Sequence, residues 1–278
     1  PQCTENQDAR IRLAGIADYR LMSDREIANR LDDSVVRSDF HGTTIIRRAR
    51  GFAPEPISLA ASFHTSPATL AFGAELKSTF CFTRSGTATL SQHLGDLEDP
   101  TTCRDYGKAI ELYRRLYAFT PEIIAVDKHP DYASTAWGNT LAQELQIPIV
   151  RVQHHHAHLA SVLAENAFDL DYDRALGIIL DGTGLGDDGT IWGGEFLYGG
   201  YRTFKRVGHL EAVGLPGGAA AIREPWRNTF AHLAAVSRSE AINIDLDRPI
   251  LNWLNQKPIK TIEKMLAQSL NTPKTSSA

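Results

Sequence analysis

Two stretches about a hundred residues apart repeat one plan, and that repeat constrains the fold more than any other feature of the chain. In the first, residues 70–75 read as a strand and lead through Gly73, Ala74, Glu75 and Lys77 into residues 78–83. A turn at Arg84, Ser85 and Gly86 follows, and then a strand over 87–91. In the second, residues 175–180 read as a strand that ends in the acidic, glycine-rich run Asp181, Gly182, Thr183, Gly184, and residues 190–198 supply the matching strand. Each copy is a strand, a glycine-bearing turn and a hairpin.

Between the copies the periodicity alternates. Residues 106–117 have a helical period, 123–126 a strand, 135–145 a helix, 149–152 a strand and 154–166 a helix. Such alternation points to a mixed or parallel sheet flanked by helices. Two similar halves, each opening on a hairpin whose turn can clasp phosphate, predict an α/β fold. The pattern is that of the duplicated mixed-sheet architecture of actin-like and sugar-kinase-like (ASKHA) proteins. Residues 222–236 and 250–270 read as helices joined through a proline-interrupted link. The front of the chain differs: 6–18 is polar with a weak helical period, and Val35-Val36 and Ile45-Ile46 read as short strands. Pro54 and Pro56 then open a connector that runs to Pro67.

A formal charge of -4 on 278 residues gives no broad electrostatic reason to bind nucleic acid or an anionic membrane. There is no apolar run of the length, about 18 residues, that a membrane span needs, and no signal-peptide pattern. Three cysteines, Cys3, Cys81 and Cys103, form no C-x-x-C pair, which fits a reducing, cytoplasmic setting. The chain begins at Pro1 without an initiator Met, as an interior piece of a longer protein would.

The sharpest local feature is Val152-Gln153-His154-His155-His156-Ala157-His158, which holds four of the ten histidines. A helix starting near His154 puts His154 and His158 at i and i+4, on one face, where two imidazoles can hold one divalent metal. His155 and His156 are expected to point elsewhere. The metalloprotease pattern H-E-x-x-H is excluded because His155 occupies the Glu position. A polar helix start with solvated histidines is the plainer alternative. Two histidines do not fill a metal site, and Asp181 is the candidate to add a carboxylate from the second turn. In the same turn, Gly182, Thr183 and Gly184 allow backbone N–H groups to face a phosphate.

An ordinary Asp-Gly hairpin turn is the alternative there, and Asp188-Gly189 reads as just that. Lys77 can neutralise a phosphate or carbamoyl oxygen; an exposed hairpin lysine is the other reading. Gly217 and Gly218 lead into Arg223 and Arg227, which read as an anion clamp or as a helix start with Pro225 early and Trp226 in the core. Asp127, His129, Asp131 and Tyr132 follow a strand end, where α/β proteins place ligand-contacting loops.

Taken in order, LAFGAELKSTFC (70–81), SQHLGDLE (91–98), HPDY (129–132), VQHHHAH (152–158), DGTGLGDDGTIWGGE (181–195), LPGG (215–218) and REPWR (223–227) closely resemble the HypF family of carbamoyltransferases of [NiFe]-hydrogenase maturation. DREI (24–27) with DDSV (32–35) resembles the end of that family's YrdC-like domain. The resemblance implies three regions: 1–50, the C-terminal end of a YrdC-like domain with α+β structure; 51–68, a linker; and 69–278, a TsaD-like carbamoyltransferase domain with an incomplete second half.

It also implies a chemistry. Carbamoyl phosphate is hydrolysed, the carbamate is adenylated with ATP and Mg to give carbamoyl adenylate, AMP and pyrophosphate following in turn, and the carbamoyl group passes to the C-terminal cysteine thiol of HypE. On this view His154 and His158 hold iron or zinc, and Asp181 and Lys77 are catalytic. The nucleotide would lie against Gly73, Ala74, Glu75, Gly182, Thr183, Gly184, Gly217 and Gly218. The family's acylphosphatase and zinc-finger-like regions have no counterpart in these residues, and a further metal-binding Asp is expected beyond residue 278, so the chain alone is expected to be inactive. Leu185 stands where the family usually has Tyr, and Lys128 where an apolar residue is common. The competing resemblances are a tRNA threonylcarbamoyl-transferase-like protein, which would show His-Met-Glu-Ala-His at 154–158, a sugar or acetate kinase, and a non-catalytic metal-binding module.

Overall fold

The computed structural model describes residues 3, 5–238 and 248–277, and divides into two compact units, Pro1–Val152 and Gln153–Ala278. The first unit opens with helix α1 (Asn6–Arg12) and a hairpin of β1 (Val35–Asp39) and β2 (Gly42–Arg47), whose side chains are almost all exposed. Its main sheet comprises β3 (Ile57–Ser58), β4 (Thr69–Ala71), β5 (Cys81–Arg84), β6 (Thr87–Leu90), β7 (Ile123–Asp127) and β8 (Ile149–Val152), in the order β3-β6-β5-β4-β7-β8. The β4–β5–β6 meander is antiparallel, whereas β7 joins β4, and β8 joins β7, in parallel. Ser85 and Gly86 turn the β5–β6 hairpin at φ 50° and 77°, as a tight two-residue turn requires.

The parallel strands are reached through α2 (Pro100–Leu116) and α3 (Ala133–Leu145). Helix α2 starts six residues before its apolar period, because Pro100 fits the first turn and Asp99 accepts the N–H groups of Thr101 and Thr102 at 3.0 and 2.8 Å. Leu70, Phe80, Phe82, Tyr106, Ile110, Tyr113, Ile124 and Val126 form its core, with the Phe80 ring edge-on to Tyr106 and Tyr113. Gly138 lets α3 approach the sheet closely: a Cβ there would stand 2.3 Å from Cγ1 of Val126.

The second unit begins with α4 (His154–Glu165), followed by an antiparallel meander of β9 (Ala175–Leu185), β10 (Ile191–Gly199) and β11 (Phe204–His209). Next come β12 (Val213–Gly214), α5 (Ala219–Arg223), α6 (Trp226–Arg238), α7 (Arg248–Leu254), α8 (Ile259–Ala267) and β13 (Lys274–Thr275). Strand β13 pairs in parallel with the start of β10 and antiparallel with β12. Leu159 and Leu163 of α4 pack on Ile179, Trp192 and Leu197, and a second cluster joins Trp226, Leu254 and Ile262. Arg223 ends α5, and the buried Trp226, behind Pro225, begins α6.

Both units thus carry a three-stranded antiparallel meander with flanking helices, and the mixed α/β sheets agree with a partial duplicated ASKHA-type architecture. One boundary is corrected. The strand predicted to end at Leu180 runs on to Leu185, so 181–184 is not a terminal loop. Leu180 faces Gly194 and Gly184 faces Trp192, so Asp181, Gly182 and Thr183 together stand opposite Gly193 alone. They form a bulge within the ladder. No helix among the described residues is long and apolar enough to cross a membrane.

Candidate metal centre

Helix α4 owes its sharp start to Gln153, a buried N-cap whose Oε1 accepts the N–H of His156 at 2.8 Å and whose Nε2 donates to the Leu185 carbonyl at 3.1 Å. The helix begins where the sequence placed it, and its first turn projects His154 and His158 from one face, their rings edge-on with centroids 5.0 Å apart. The bulge in β9 brings Asp181 to the same place. Oδ2 of Asp181 lies 2.9 Å from Nε2 of His154 and 3.6 Å from Nε2 of His158.

One ligand atom from each of the three residues falls within 4.8 Å of the other two. Ligand atoms at about 2.1 Å from a tetrahedral ion lie about 3.4 Å from one another, so the donor set of two imidazoles and a carboxylate fits a divalent cation such as zinc or iron. His154 and Asp181 are half-buried and His158 is more exposed, which leaves an open side.

The electrostatics favour an anionic Asp181. Burial pushes its pKa up, but hydrogen bonds from His154, His158 and the Gly182 N–H outweigh burial and hold the carboxyl far below the usual range. Its second oxygen, Oδ1, accepts that N–H at 2.7 Å. His156 turns away as expected and donates to or accepts from nothing in the cluster; its Nε2 lies 2.7 Å from the Gly200 carbonyl. His155 departs from the expectation. It is fully buried beside Trp192, with Nδ1 3.2 Å from Gln153 and Nε2 4.0 Å from Oδ2 of Asp181. One step along the helix from His154 rotates its ring inward under the sheet, toward Asp181. Burial first, and then the charge of His154, lower its pKa to about 4.

The glycine-rich run serves packing as well as conformation. A Cβ on Gly184 would stand 2.8 Å from Cδ2 of His154 and 2.7 Å from Cε1 of His155, whereas Gly182 has open space around it. Thr183 lies between them in the bulge. Asp188 is the turn residue it was read as, accepting from Thr190 and from the Trp192 indole N–H.

The remaining candidates are held within their own units. In the second unit Gly217 and Gly218 take φ of 88° and 55°, and Gly217 donates to the Asn271 carbonyl at 2.8 Å. Arg227 is engaged locally, its Nε 2.7 Å from Glu224. In the first unit Gly73 has φ 64°, and a Cβ there would meet the Thr79 carbonyl oxygen at 2.4 Å. Ala74 follows it in the same loop. Glu75 anchors that loop, with Oε2 accepting the Ala133 N–H at the start of α3 at 2.7 Å. Lys77 takes φ 51° and is fixed through its main-chain N–H, 2.8 Å from Oδ1 of Asp96. Asp127 binds the N–H of His129 at 2.8 Å, and His129 stacks on Tyr132 at 4.2 Å, so that loop closes on itself.

Sequence reasoning missed Glu195. It is fully buried, held by Arg206 through Nε–Oε2 at 2.6 Å and Nη2–Oε1 at 2.9 Å, and bonded to the Ser276 hydroxyl. Arg206 also lies 4.2 Å over the Trp192 ring that backs His155. A carboxylate inside an apolar strand was the available signal.

The family model of the HypF Kae1-like domain matches residues 64–165, and that of the carbamoyltransferase Kae1-like domain, second subdomain, matches residues 177–278. This chain belongs to the HypF family. It is 45% identical over 280 residues to carbamoyltransferase HypF2 of Cupriavidus necator, covering all of this chain and 33% of that relative. It is 40% identical over 278 residues to carbamoyltransferase HypF of Rhodobacter capsulatus, covering all of this chain and 36% of the relative. The chain therefore spans about a third of the length of the curated relatives it matches. Among solved structures, full-length HypF in a phosphate- and nucleotide-bound form aligns with a TM-score of 0.81 at 37% identity, over 100% of this chain and 41% of that one. HypF of T. kodakarensis aligns with a TM-score of 0.82 at 34% identity, over 100% and 36%.

Proposed function

We propose that the chain is the carbamoyl-transfer portion of a hydrogenase-maturation carbamoyltransferase, acting in the cytoplasm. The observation that carries this reading is the meeting of His154, His158 and Asp181, in a HypF-family chain, on the exposed side of a strand bulge. The reaction begins with carbamoyl phosphate and ATP. Hydrolysis of the first gives carbamate and inorganic phosphate, the carbamate is adenylated with release of pyrophosphate in a step that uses Mg, and the thiolate of the C-terminal cysteine of HypE then attacks the carbamoyl carbon. The C–S bond forms, the bond from that carbon to the AMP phosphate oxygen breaks, and AMP leaves with the electron pair while the thiol proton passes to solvent.

A divalent cation held by His154, His158 and Asp181 would supply Lewis-acid stabilisation of the oxygen that gains charge. Asp181 stays anionic and orients the two imidazoles. In the second unit the nucleotide phosphate binds at the bulge of Gly182, Thr183 and Gly184, and Gly217 and Gly218 are nucleotide-binding residues; in the first unit Gly73, Ala74 and Glu75 are nucleotide-binding residues and Lys77 neutralises an oxyanion. Supporting the nucleotide assignment is the nucleotide-bound state of the HypF structure aligned above.

The test replaces the matching third of the Cupriavidus necator relative with this chain and follows label from carbamoyl phosphate, with ATP, to a HypE-like acceptor ending in cysteine. Labelled thiocarboxamide with AMP and pyrophosphate, absent when His154→Ala and His158→Ala are both introduced, supports the reading. ADP as product would point to a kinase, transfer to tRNA would point to the threonylcarbamoyl branch, and an active double variant would leave a structural metal module.

A further inference from the structure

We propose that His155 is a positioning residue for the metal centre. Its ring is held in the tautomer that carries the proton on Nε2, and that N–H orients the Asp181 carboxylate once His154 and His158 turn to an ion. This role rests on the metal reading above and extends it to a side chain outside the donor set of His154, His158 and Asp181.

The tautomer follows from the orientation of one amide. Oε1 of Gln153 accepts the His156 N–H at 2.8 Å, and Nε2 donates to the Leu185 carbonyl at 3.1 Å. Turning the amide over would set its NH2 against an N–H and its oxygen against a carbonyl, so both partners fix it as it stands. The other proton of that NH2 is left for Nδ1 of His155, 3.2 Å away. A donor on one side requires an acceptor on the other. Nδ1 therefore carries a lone pair, and the proton of the neutral ring sits on Nε2. An imidazolium would set N–H against N–H, and a flipped ring would offer the amide only a C–H.

That Nε2–H is where the structure leaves a bond unmade. His155 is fully buried, and its Nε2 has no hydrogen-bond partner among the described residues. A buried donor calls for an acceptor. Oδ2 of Asp181 stands 4.0 Å away, and a shift of about 1 Å would bring it to hydrogen-bond length. In the ion-free cluster His154 occupies that oxygen instead, at 2.9 Å. A ring nitrogen that ligates a cation spends its lone pair there and brings no proton, so an ion removes what His154 and His158 donate to Asp181. His155 keeps its proton and cannot leave, with Trp192 against its ring and Gly184 at its Cε1 edge. Ligating carboxylates are themselves hydrogen-bonded from outside the donor set. Here the Gly182 N–H serves Oδ1 at 2.7 Å, and His155 is placed to serve Oδ2.

Spectra correlating ¹⁵N and ¹H in the unsubstituted, ion-free chain should show His155 protonated at Nε2 and bare at Nδ1. On addition of Zn²⁺ its Nε2–H resonance should move downfield, as the bond to Asp181 forms. In Co²⁺ titrations followed by visible absorption, His155→Leu binds at least about tenfold more weakly than the unsubstituted chain. His155→Gln can present an amide oxygen to Gln153 and an N–H to Asp181, and it recovers most of the loss, which a ring that merely fills space would not explain. A proton on Nδ1, an Nε2–H resonance indifferent to bound Zn²⁺, or Co²⁺ affinity unchanged in His155→Leu would overturn the role of His155 while leaving the metal centre in place. Failure of the unsubstituted chain to take up either ion would overturn both.

Discussion

Nε2 of His154 lies 2.9 Å from Oδ2 of Asp181, although the two residues are 27 positions apart and belong to different elements. A helix start and a strand bulge are both needed to bring them together, and each has its own determinant: Gln153 for the helix and the unequal pairing around Gly193 for the bulge.

Without an ion the contact is a charge-assisted hydrogen bond; with one, both atoms become ligands. Titration with Co²⁺, followed by visible absorption, should therefore show one site per chain. His154→Ala, His158→Ala and Asp181→Ala each weaken it by at least about tenfold, since two remaining ligands do not hold a divalent ion well. His156→Ala leaves it intact, because that ring is spent on the Gly200 carbonyl. Equal affinities across all four variants would remove the metal assignment.

The Glu195–Arg206 pair predicts a pH dependence of stability. Burial raises the Glu195 pKa, but Arg206, Ser276 and the Gly193 N–H more than offset it, and the folded-state value is depressed. A carboxyl whose pKa is lower in the folded than in the unfolded state contributes its full stability above the unfolded value, about 4.3, and loses it as pH falls through the folded value. At pH 7 Glu195→Gln should cost about 3 kcal/mol, because Arg206 then lies half-buried with Asp188, at 3.4 Å, as its one remaining carboxylate among the described residues. As pH falls below about 4 the difference in melting temperature between the two proteins should close. Parallel curves down to pH 3 or so would show that the pair is not ionised in the native state.

How much of this was legible in the sequence depends on the range of the interactions. The i, i+4 spacing of His154 and His158 is local, and the helix it predicted begins at the expected residue. Asp181 was picked out as a carboxylate near the cluster, but its conformation was misread. Asp-Gly-Thr-Gly has the composition of a turn, and only the facing strand, with its own Gly193 and Gly194, keeps it in a ladder. Helix α2 was read short because its first six residues are held by a cap and a proline rather than by apolar spacing. Glu195 escaped notice because its partners, Arg206 and Ser276, lie 11 and 81 positions away.

Gly184 offers the sharpest test of how the centre is positioned. Its φ is unremarkable, so the requirement for glycine is one of space. A methyl group there would stand 2.7 Å from Cε1 of His155, and 2.8 and 2.9 Å from Cδ2 and Cγ of His154. His155 cannot swing away, being enclosed against Trp192. The ring of His154 must therefore shift, and its Nε2 with it. Overpacking of this kind costs about 1–3 kcal/mol, so Gly184→Ala should fold with a lowered melting temperature while binding Co²⁺ at least about tenfold more weakly. Gly208→Ala, on the neighbouring strand, is the matched control, since its methyl meets only Phe196, at 3.5 Å, and should change neither quantity. If Gly184→Ala kept full metal affinity, the imidazole of His154 would have to hold its place without the glycine beneath it, and the cluster would be set by Asp181 alone.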